Sequence, residues 1–406
     1  MSASPGGRHE APAPTNVLVA VLVLATALGP FAMQVFLPAL PSIQIEFATS
    51  AAKAQLAFSL SAFAIAIATL FYGPISDRFG RRPALIGGLL VYLIGSLMCA
   101  AAPSIGILIL GRIVQAAGGC AGLVLSRAII RDLFSLDRSA TVLAYVTMAM
   151  VAAPMVAPVL GGLLTDHAGW RAVFLAGTVL GVAILAAVLA GLPETARGGA
   201  APSRNPLHGF GPLLRSARFM GYALQGAFSI AVFYAFLAAA PFLVLTVMHR
   251  PASEYGLMFI MISGAFMVGN FVAGRYSARV GGDRMVLLGS VGALVGTLTT
   301  LACVIAGYWN PWAMFVPTSI GAFAQGVSLP NTQAAFVSVF PQLAGTASGL
   351  GGFLQMGLAA VVAQVVGSIQ DGTPYPMAIG MSLCAAAALI SALVAIRAQR
   401  RVRSAA

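Results

Sequence analysis

The sequence predicts an all-α integral membrane protein, with twelve transmembrane helices in two pseudo-symmetric six-helix bundles. Three observations predict it. First, the 406 residues are 59% hydrophobic and only 8% charged, with a mean hydropathy of +0.94, whereas a soluble domain carries about 25% charged residues. That much apolar surface has no room in a water-soluble core, so the solvent must be lipid. Second, the chain divides into twelve apolar runs close to the spanning length of about 20 residues, without the period-two alternation of a membrane barrel. Third, a charged strip between two such runs, Gly73-Pro74-Ile75-Ser76-Asp77-Arg78-Phe79-Gly80-Arg81-Arg82-Pro83, recurs in worn form half a chain length later. There Gly274, Arg279 and Gly281 stand where Gly73, Arg78 and Gly80 stand, and Ala278 replaces Asp77. A half-chain repeat joining membrane-length runs describes a duplicated helix bundle.

The elements follow in order. Residues 1–16 hold Pro5, Pro12 and Pro14 among polar neighbours and read as a disordered cytoplasmic tail. The first run, 17–40, contains Ala25-Thr26-Ala27, a small-x-small cleavage pattern. Cleavage there would leave eleven spans and break the repeat, so the run reads as an uncleaved helix. Runs 53–73 and 84–102 flank the charged strip. Run 105–126 leads into Arg127 and Arg131, and run 140–164 carries two prolines among small residues. Run 171–192 ends at Leu192-Pro193-Glu194. The longest polar stretch, 194–218, with Pro202, Pro206 and four arginines, falls where a cytoplasmic linker between two halves belongs. Runs 219–247, 254–275, 285–307, 312–336, 344–368 and 375–397 repeat the scheme before a basic cytoplasmic tail, 398–406. The bundles are thus expected over 17–193 and 219–397.

The net charge of +12 raises the question of nucleic acid, and its distribution answers it. Eighteen of the 22 basic residues fall on the side of the N-terminus: Arg8, the strip arginines Arg78, Arg81 and Arg82, then Arg127, Arg131, Arg138, Arg197, Arg204, Arg215, Arg218, Arg275, Arg279, Arg284, Arg397, Arg400, Arg401 and Arg403. Lys53, Arg171 and Arg250 lie opposite, and Arg112 lies within a span. Basic residues concentrate on the cytoplasmic side, so both termini are expected there, in a bacterial-type inner membrane, and nucleic acid is not expected as a partner.

Groups able to do chemistry are few. The single lysine, Lys53, precedes Ala54, so there is no Gly-Lys-Ser/Thr phosphate loop. His9, His167, His208 and His249 lie in loops or the tail, and Cys99, Cys120, Cys303 and Cys384 sit singly inside runs. No enzyme activity, metal or cofactor is expected, and transport driven by gradients is the natural reading. All ten carboxylates map outside the spans: Glu46, Asp166, Glu254 and Asp371 on one side, Glu10, Asp77, Asp132, Asp137, Glu194 and Asp283 on the other. Arg112 is therefore the one ionised side chain at membrane depth. A charge there costs at least about 2.5 kcal/mol, which makes it a functional candidate. It begins a helical stripe with Gln115, Gly119 and Gly122. In the fifth run Ala153-Pro154, Ala157-Pro158 and Gly161-Gly162 form a ridge of small residues suited to close helix packing, with prolines that permit a bend.

The charged strip resembles the loop signature of the major facilitator superfamily, Gly-x-x-x-Asp-Arg-x-Gly-Arg-Arg. The segment Gly111-Arg112-Ile113-Val114-Gln115-Ala116-Ala117-Gly118 resembles that superfamily's fourth-helix motif, with Ala116 in place of a glycine, and the fifth-run ridge is similar to its antiporter motif, with Ala153 and Ala157 in place of glycines. Leu37-Pro38-Ala39-Leu40-Pro41, Arg127 to Asp132, Gly169-Trp170-Arg171, Leu192-Pro193-Glu194-Thr195 and Ala344 to Ser348 look like the Bcr/CflA drug-resistance branch of twelve-span drug:proton antiporters. The resemblance implies gating by Gly73, Asp77, Arg78, Gly80, Arg81, Arg82 and Asp132, and a role for Arg112 in proton transfer or substrate coupling. One departure stands out. Gln34 occupies the position where that branch carries a first-helix aspartate, and glutamine does not titrate.

The leading expectation is a monomeric exporter of amphipathic compounds, alternating its access across the membrane and exchanging a small-molecule substrate for protons within the lipid bilayer. Its pocket is expected near the midplane, from Gln34, Arg112, Gln115, Tyr145, Tyr234, Gln325 and Gln355, with Met33, Phe36 and Met148 as apolar walls. The alternative is a facilitator or importer of a small neutral or anionic metabolite, which Gln34 and an unpaired Arg112 suit, since a cationic compound would prefer a buried carboxylate.

Overall fold

The computed structural model describes residues 16–134, 136–195 and 210–405, and all regular structure among them is helical. Twelve long helices follow the twelve runs: α1 (Asn16–Glu46), α2 (Ala51–Phe79), α3 (Arg81–Ala100), α4 (Ile105–Leu133), α5 (Leu136–Ala168), α6 (Trp170–Gly191), α7 (Ala217–Val247), α8 (Ala252–Val280), α9 (Gly282–Ile305), α10 (Pro311–Ser338), α11 (Ala344–Ser368) and α12 (Tyr375–Ala405). Residues 1–15 of the expected tail and 196–209 of the expected linker lie outside the described residues. A six-residue helix, Phe210–Arg215, completes the linker. The segment expected as a basic tail continues α12 as far as Ala405. Alanine, glutamine and arginine are good helix formers, and cations suit a helix C-terminus.

Local sequence explains the ends and breaks. Ser50, Ser104, Ser216 and Asn310 cap α2, α4, α7 and α10, each accepting a bond from the backbone three residues on. Pro38 interrupts α1 with a 3-10 turn at Leu37–Ala39, and Pro241 precedes a π-helical turn at Leu243–Val247. The repeated strip ends both α2 and α8 on a glycine with positive φ, Gly80 at 101° and Gly281 at 91°. A side chain is strained there, which explains why both copies keep this glycine while the aspartate is lost from the second.

Among the described residues, eleven helices are long and apolar enough to cross a membrane. The twelfth, α10, has the length but carries two internal prolines and buries Thr318, Gln325, Ser328, Asn331 and Thr332. These polar groups bond inside the bundle: Thr332 donates to Gln225 Oε1 at 2.5 Å, and Gln325 Nε2 donates to the Ser229 carbonyl at 2.9 Å. The polarity of α10 is thus hidden from lipid by its neighbours.

The helices pack as two copies of one scheme. In the first half α1 touches α4, α5 and α6, α4 touches α2 and α3, and α3 touches α6. In the second, α7 touches α10, α11 and α12, α10 touches α8 and α9, and α9 touches α12. The halves meet through α2 with α11 and α5 with α8, again equivalent pairs. At the end carrying Lys53 this seam is tight. Ser59 bonds to Gln364 at 2.6 Å, and Gln364 Nε2 donates to the Ala52 carbonyl at 3.1 Å. Asp166 at the end of α5 accepts from the backbone amides of Ala252 and Ser253 at 3.1 and 2.9 Å, at the start of α8. A carboxylate on a helix N-terminus is favoured by the unpaired amides and the helix dipole. Gly162 lies against the backbone of Ala252, and Gly256 against that of Pro158 and Val159, with no space for a Cβ at either.

Gly256→Leu should therefore part α5 from α8 without unfolding either bundle. Spin labels at the exposed Lys53 and Ser368 positions should move apart in this variant. An unchanged distance distribution would mean that the α5–α8 contact does not hold this end closed.

Candidate functional site

A cavity of about 280 Å³ lies where the bundles face one another. Its walls come from the middle of five helices: Met150 and Pro154 of α5, Ile230, Phe233 and Tyr234 of α7, Ile262, Ser263 and Phe266 of α8, Ala322, Gln325 and Leu329 of α10, and Met356 of α11. None of these is charged. Tyr234 bridges the seam, stacking on Phe58 of α2 at 5.2 Å between ring centroids, with its hydroxyl 3.7 Å from the Met356 sulfur. Aromatic faces accept cations as well as apolar rings, methionines adapt to shape, and Gln325 and Ser263 supply neutral polar contacts. The chemistry suits small amphipathic molecules.

Arg112 lies elsewhere, enclosed within the first bundle at 1% exposure. Its Nη1 donates to the Ala32 carbonyl at 3.1 Å and to Gln115 Oε1 at 2.5 Å, and its guanidinium lies 4.4 Å from the Phe36 ring centroid. Nη2 contacts the Met33 sulfur at 3.3 Å. Gln115 in turn donates to Ser96 at 2.7 Å. No carboxylate pairs with the guanidinium among the described residues, and its Nε has no partner. Gln34 is on the same turn of α1, and its Oε1 is likewise buried without a partner. The second bundle answers with a neutral network: Gln225 Nε2 bonds to Ser229 and Ser290 at 3.0 and 3.1 Å.

At the opposite end from Lys53, Arg81 bonds to Asp77 at 2.6 Å and Asp132 at 3.3 Å, and Glu194 accepts from the Arg81 and Arg82 amides at 2.9 and 3.3 Å. Arg82 donates to the Leu189 carbonyl at 2.9 Å, Arg78 stacks on Phe79, and Gly73 has open space around it. Asp77, Arg81 and Asp132 are therefore one network, joined to α6 through Glu194. In the second copy Asp283 lies 2.5 Å from the Tyr222 hydroxyl instead. Near the Lys53 end Glu46 is held by Trp170 Nε1 and Arg171, both at 2.6 Å.

Of the residues expected in the pocket, the structure brings Tyr234 and Gln325 to the cavity. Met33, Phe36, Arg112 and Gln115 are packed together inside the first bundle, and Gln34 is buried beside them. Gln355 is buried against Gly226 of α7. Tyr145 and Met148 are exposed on α5, toward the Asp77 end. In the α5 ridge, Pro154 lines the cavity, Ala157 is fully buried, Ala153 half-buried, Gly161 meets Val35 of α1, and Pro158 and Gly162 meet α8. Phe233, Phe266, Met150 and Met356 escaped the sequence reading, because an apolar residue in a spanning helix carries no mark of whether it faces lipid, helix or cavity.

Arg112→Met should leave the melting temperature unchanged or raise it, since a buried charge with no ion-pair partner carries a desolvation cost that an apolar side chain of similar volume does not. Transport should be lost in the same variant. Arg112→Lys should recover little of it, because one ammonium cannot reproduce the planar fork over Phe36. Full transport with lysine, or a fall in melting temperature with methionine, would overturn this assignment. Asp77→Asn should cut transport strongly while hardly changing stability, its ion pair being exposed and worth about 0–1 kcal/mol. Asp283→Asn, which keeps an acceptor for Tyr222, should be tolerated; equal loss in both variants would contradict the asymmetry of the two copies.

Comparison with known proteins gives a consistent family. A family model described as Major Facilitator Superfamily matches residues 22–364. The chain is 29% identical over 378 residues to a bicyclomycin resistance protein homolog of Haemophilus influenzae, covering 91% of this chain and 94% of that protein. It is 28% identical over 338 residues to multidrug resistance protein D of Escherichia coli, covering 83% and 85%. Among solved structures, the inward-open xylose transporter XylE from E. coli superposes with a TM-score of 0.76 at 14% identity, over 93% of this chain and 94% of that one. An inward-facing bacterial homolog of the human lysosomal transporter Spinster gives 0.73 at 16%, over 96% and 98%.

Proposed function

The chain belongs to the Major Facilitator Superfamily, and from that premise we propose that it is a secondary active transporter of the inner membrane, exporting drugs or other small amphipathic compounds by alternating access, with protons as the coupling ion. The observation that carries the reading is the uncharged cavity of aromatic, methionine and amide side chains at the midpoints of helices from both halves, where transporters of this kind bind their substrates. The names of the relatives, resistance to bicyclomycin and to multiple drugs, point the same way. The arginine asymmetry supports a cytoplasmic location for both termini. In that orientation the closed Lys53 end faces outside, and the Asp166 and Gly162–Gly256 contacts form the outer gate. The Asp77–Arg81–Asp132 network is then the inner gate, its ion pairs running within the first half. We read the chain as a monomer with no chemical step of its own.

A cation entering this cavity meets aromatic faces but no carboxylate. Neutral amphipaths and soft, delocalised cations are therefore the favoured substrates, over compact ammonium ions. Proton coupling falls to carboxylates at the mouths, Asp77 and Asp132 at one end and Asp166 and Glu46 at the other. The same feature favours a second reading, a facilitator of a small neutral or anionic metabolite, because Gln34 removes a titratable group from the first helix.

Two measurements separate the readings. Cells expressing the protein should extrude an amphipathic dye against its gradient, and a proton uncoupler should slow that extrusion. Equilibration without net extrusion, indifferent to the uncoupler, would leave only the facilitator. In inverted vesicles, Gln34→Asp should steepen the dependence of dye uptake on the pH gradient and shift preference toward cationic dyes, since it sets a titratable carboxylate at membrane depth. Steep coupling already present in the wild-type protein would show that a mouth carboxylate suffices.

A further inference from the structure

A second cavity, of about 450 Å³, lies away from the seam, between α11 and α12 at the Lys53 end. Both helices pack on α7 but touch one another little, so a groove remains between them. Its walls are Val362, Val365, Val366 and Ile369 on one side and Ile379, Gly380, Leu383 and Cys384 on the other. Val365, Ile369, Ile379 and Leu383 are exposed, whereas Val366 and Cys384 are buried at its floor. From Tyr375 to Cys384 the groove runs about 14 Å along α12 at 1.5 Å per residue, against about 15 Å for the hydrocarbon of one leaflet. It has the length and polarity of an acyl-chain slot.

The mouth of the groove is not apolar. Asp371, on the loop between the two helices, lines it beside Tyr375. The Thr373 hydroxyl and amide both donate to Asp371 Oδ1, at 2.6 and 2.9 Å. These bonds, the hydroxyl first, hold the carboxyl below its ordinary pKa, so it is ionised at neutral pH, and Oδ2 keeps its acceptor capacity. The depth is marked independently by aromatic side chains. Tyr375 meets Trp309 edge-on at 6.1 Å, and Tyr308 and Trp312 are exposed at the same end of the second bundle. Tryptophan and tyrosine collect at the headgroup level of a bilayer. An ionised carboxylate thus stands at headgroup depth over a groove that descends into one leaflet.

We propose that this groove is a phospholipid site, taking one acyl chain along its apolar floor and a primary-ammonium headgroup, as in phosphatidylethanolamine, on Asp371. The charge decides the headgroup. An anionic lipid such as phosphatidylglycerol brings a like charge to the carboxylate. The trimethylammonium of phosphatidylcholine offers no N–H, whereas a primary ammonium donates charge-assisted hydrogen bonds. The occupant comes from the bilayer and enters sideways, without crossing the substrate cavity.

The test uses the full-length protein in nanodiscs with a phosphatidylethanolamine probe bearing a diazirine in its acyl chain. After irradiation, adducts are mapped to peptides by mass spectrometry. Adducts should concentrate within 362–384. Unlabelled phosphatidylethanolamine should compete at least fivefold better than phosphatidylcholine or phosphatidylglycerol with the same chains. Asp371→Asn, an exposed change that keeps the acceptor for Thr373, should abolish that preference while labelling of other helices stays the same. Labelling spread evenly over the lipid-facing surface, a preference that survives Asp371→Asn, or displacement of the probe by a transported dye would each overturn the proposal. The last outcome would assign the groove to the substrate's path instead.

Discussion

In hydrocarbon a backbone amide has no partner except its own helix, and this constraint governs the whole architecture. It forces every crossing segment into a helix and makes each irregularity a place where other groups must supply the missing bonds. The 3-10 turn at Leu37–Ala39 and the π turn at Leu243–Val247 occupy equivalent places, each toward the Lys53 end of the first helix of its half. Side-chain polarity obeys the same rule. The glutamines, serines and threonines of α7 and α10 bond to each other or to carbonyls, and buried polar atoms without a partner, such as Gln34 Oε1 and Arg112 Nε, are exceptions to it.

The two halves share one packing scheme but divide the work. The first buries a cation in a neutral cage of α1 and α4, while the second supplies most of the cavity wall. Duplication explains the shared scheme, and divergence explains the division: Asp77 stands against Ala278 in the repeated strip, and the buried cation Arg112 of the first half has only neutral amides, Gln225 and Gln325, as its counterpart in the interior of the second. The seam repeats this logic. Its two contacting pairs are symmetry equivalents, yet one is held by side-chain amides and hydroxyls and the other by a carboxylate on a helix N-terminus.

The fold was legible because lipid imposes a coarse and long-range signal. Twelve runs, one worn repeat and the placing of the arginines were enough to read helix number and pairing into halves. The helix α10 was read from sequence as one of the twelve apolar runs, although its buried face is polar. The cavity was far less legible. In a soluble protein a buried face differs from an exposed one in polarity, but here lipid-facing and protein-facing residues are equally apolar. Tyr234 and Gln325 stood out because they are polar at mid-depth. Phe233 and Phe266 are indistinguishable in sequence from Phe71 and Phe271, which face outward. Arg112 was visible for the same reason as Tyr234, but its polarity could not reveal that it points into its own bundle and not into the pocket.

The uncompensated Arg112 has an electrical consequence. A fixed charge sealed inside a rigid bundle travels with that bundle when the two halves rock. An elementary charge carried across the full membrane field exchanges about 2.3 kcal/mol with each 100 mV, and a partial displacement exchanges the corresponding fraction. With no carboxylate paired with it among the described residues, rocking of the first half, as alternating access requires, would carry gating charge. Under that cycle the balance between outward- and inward-facing forms would be set partly by membrane potential, independently of any ion bound or released.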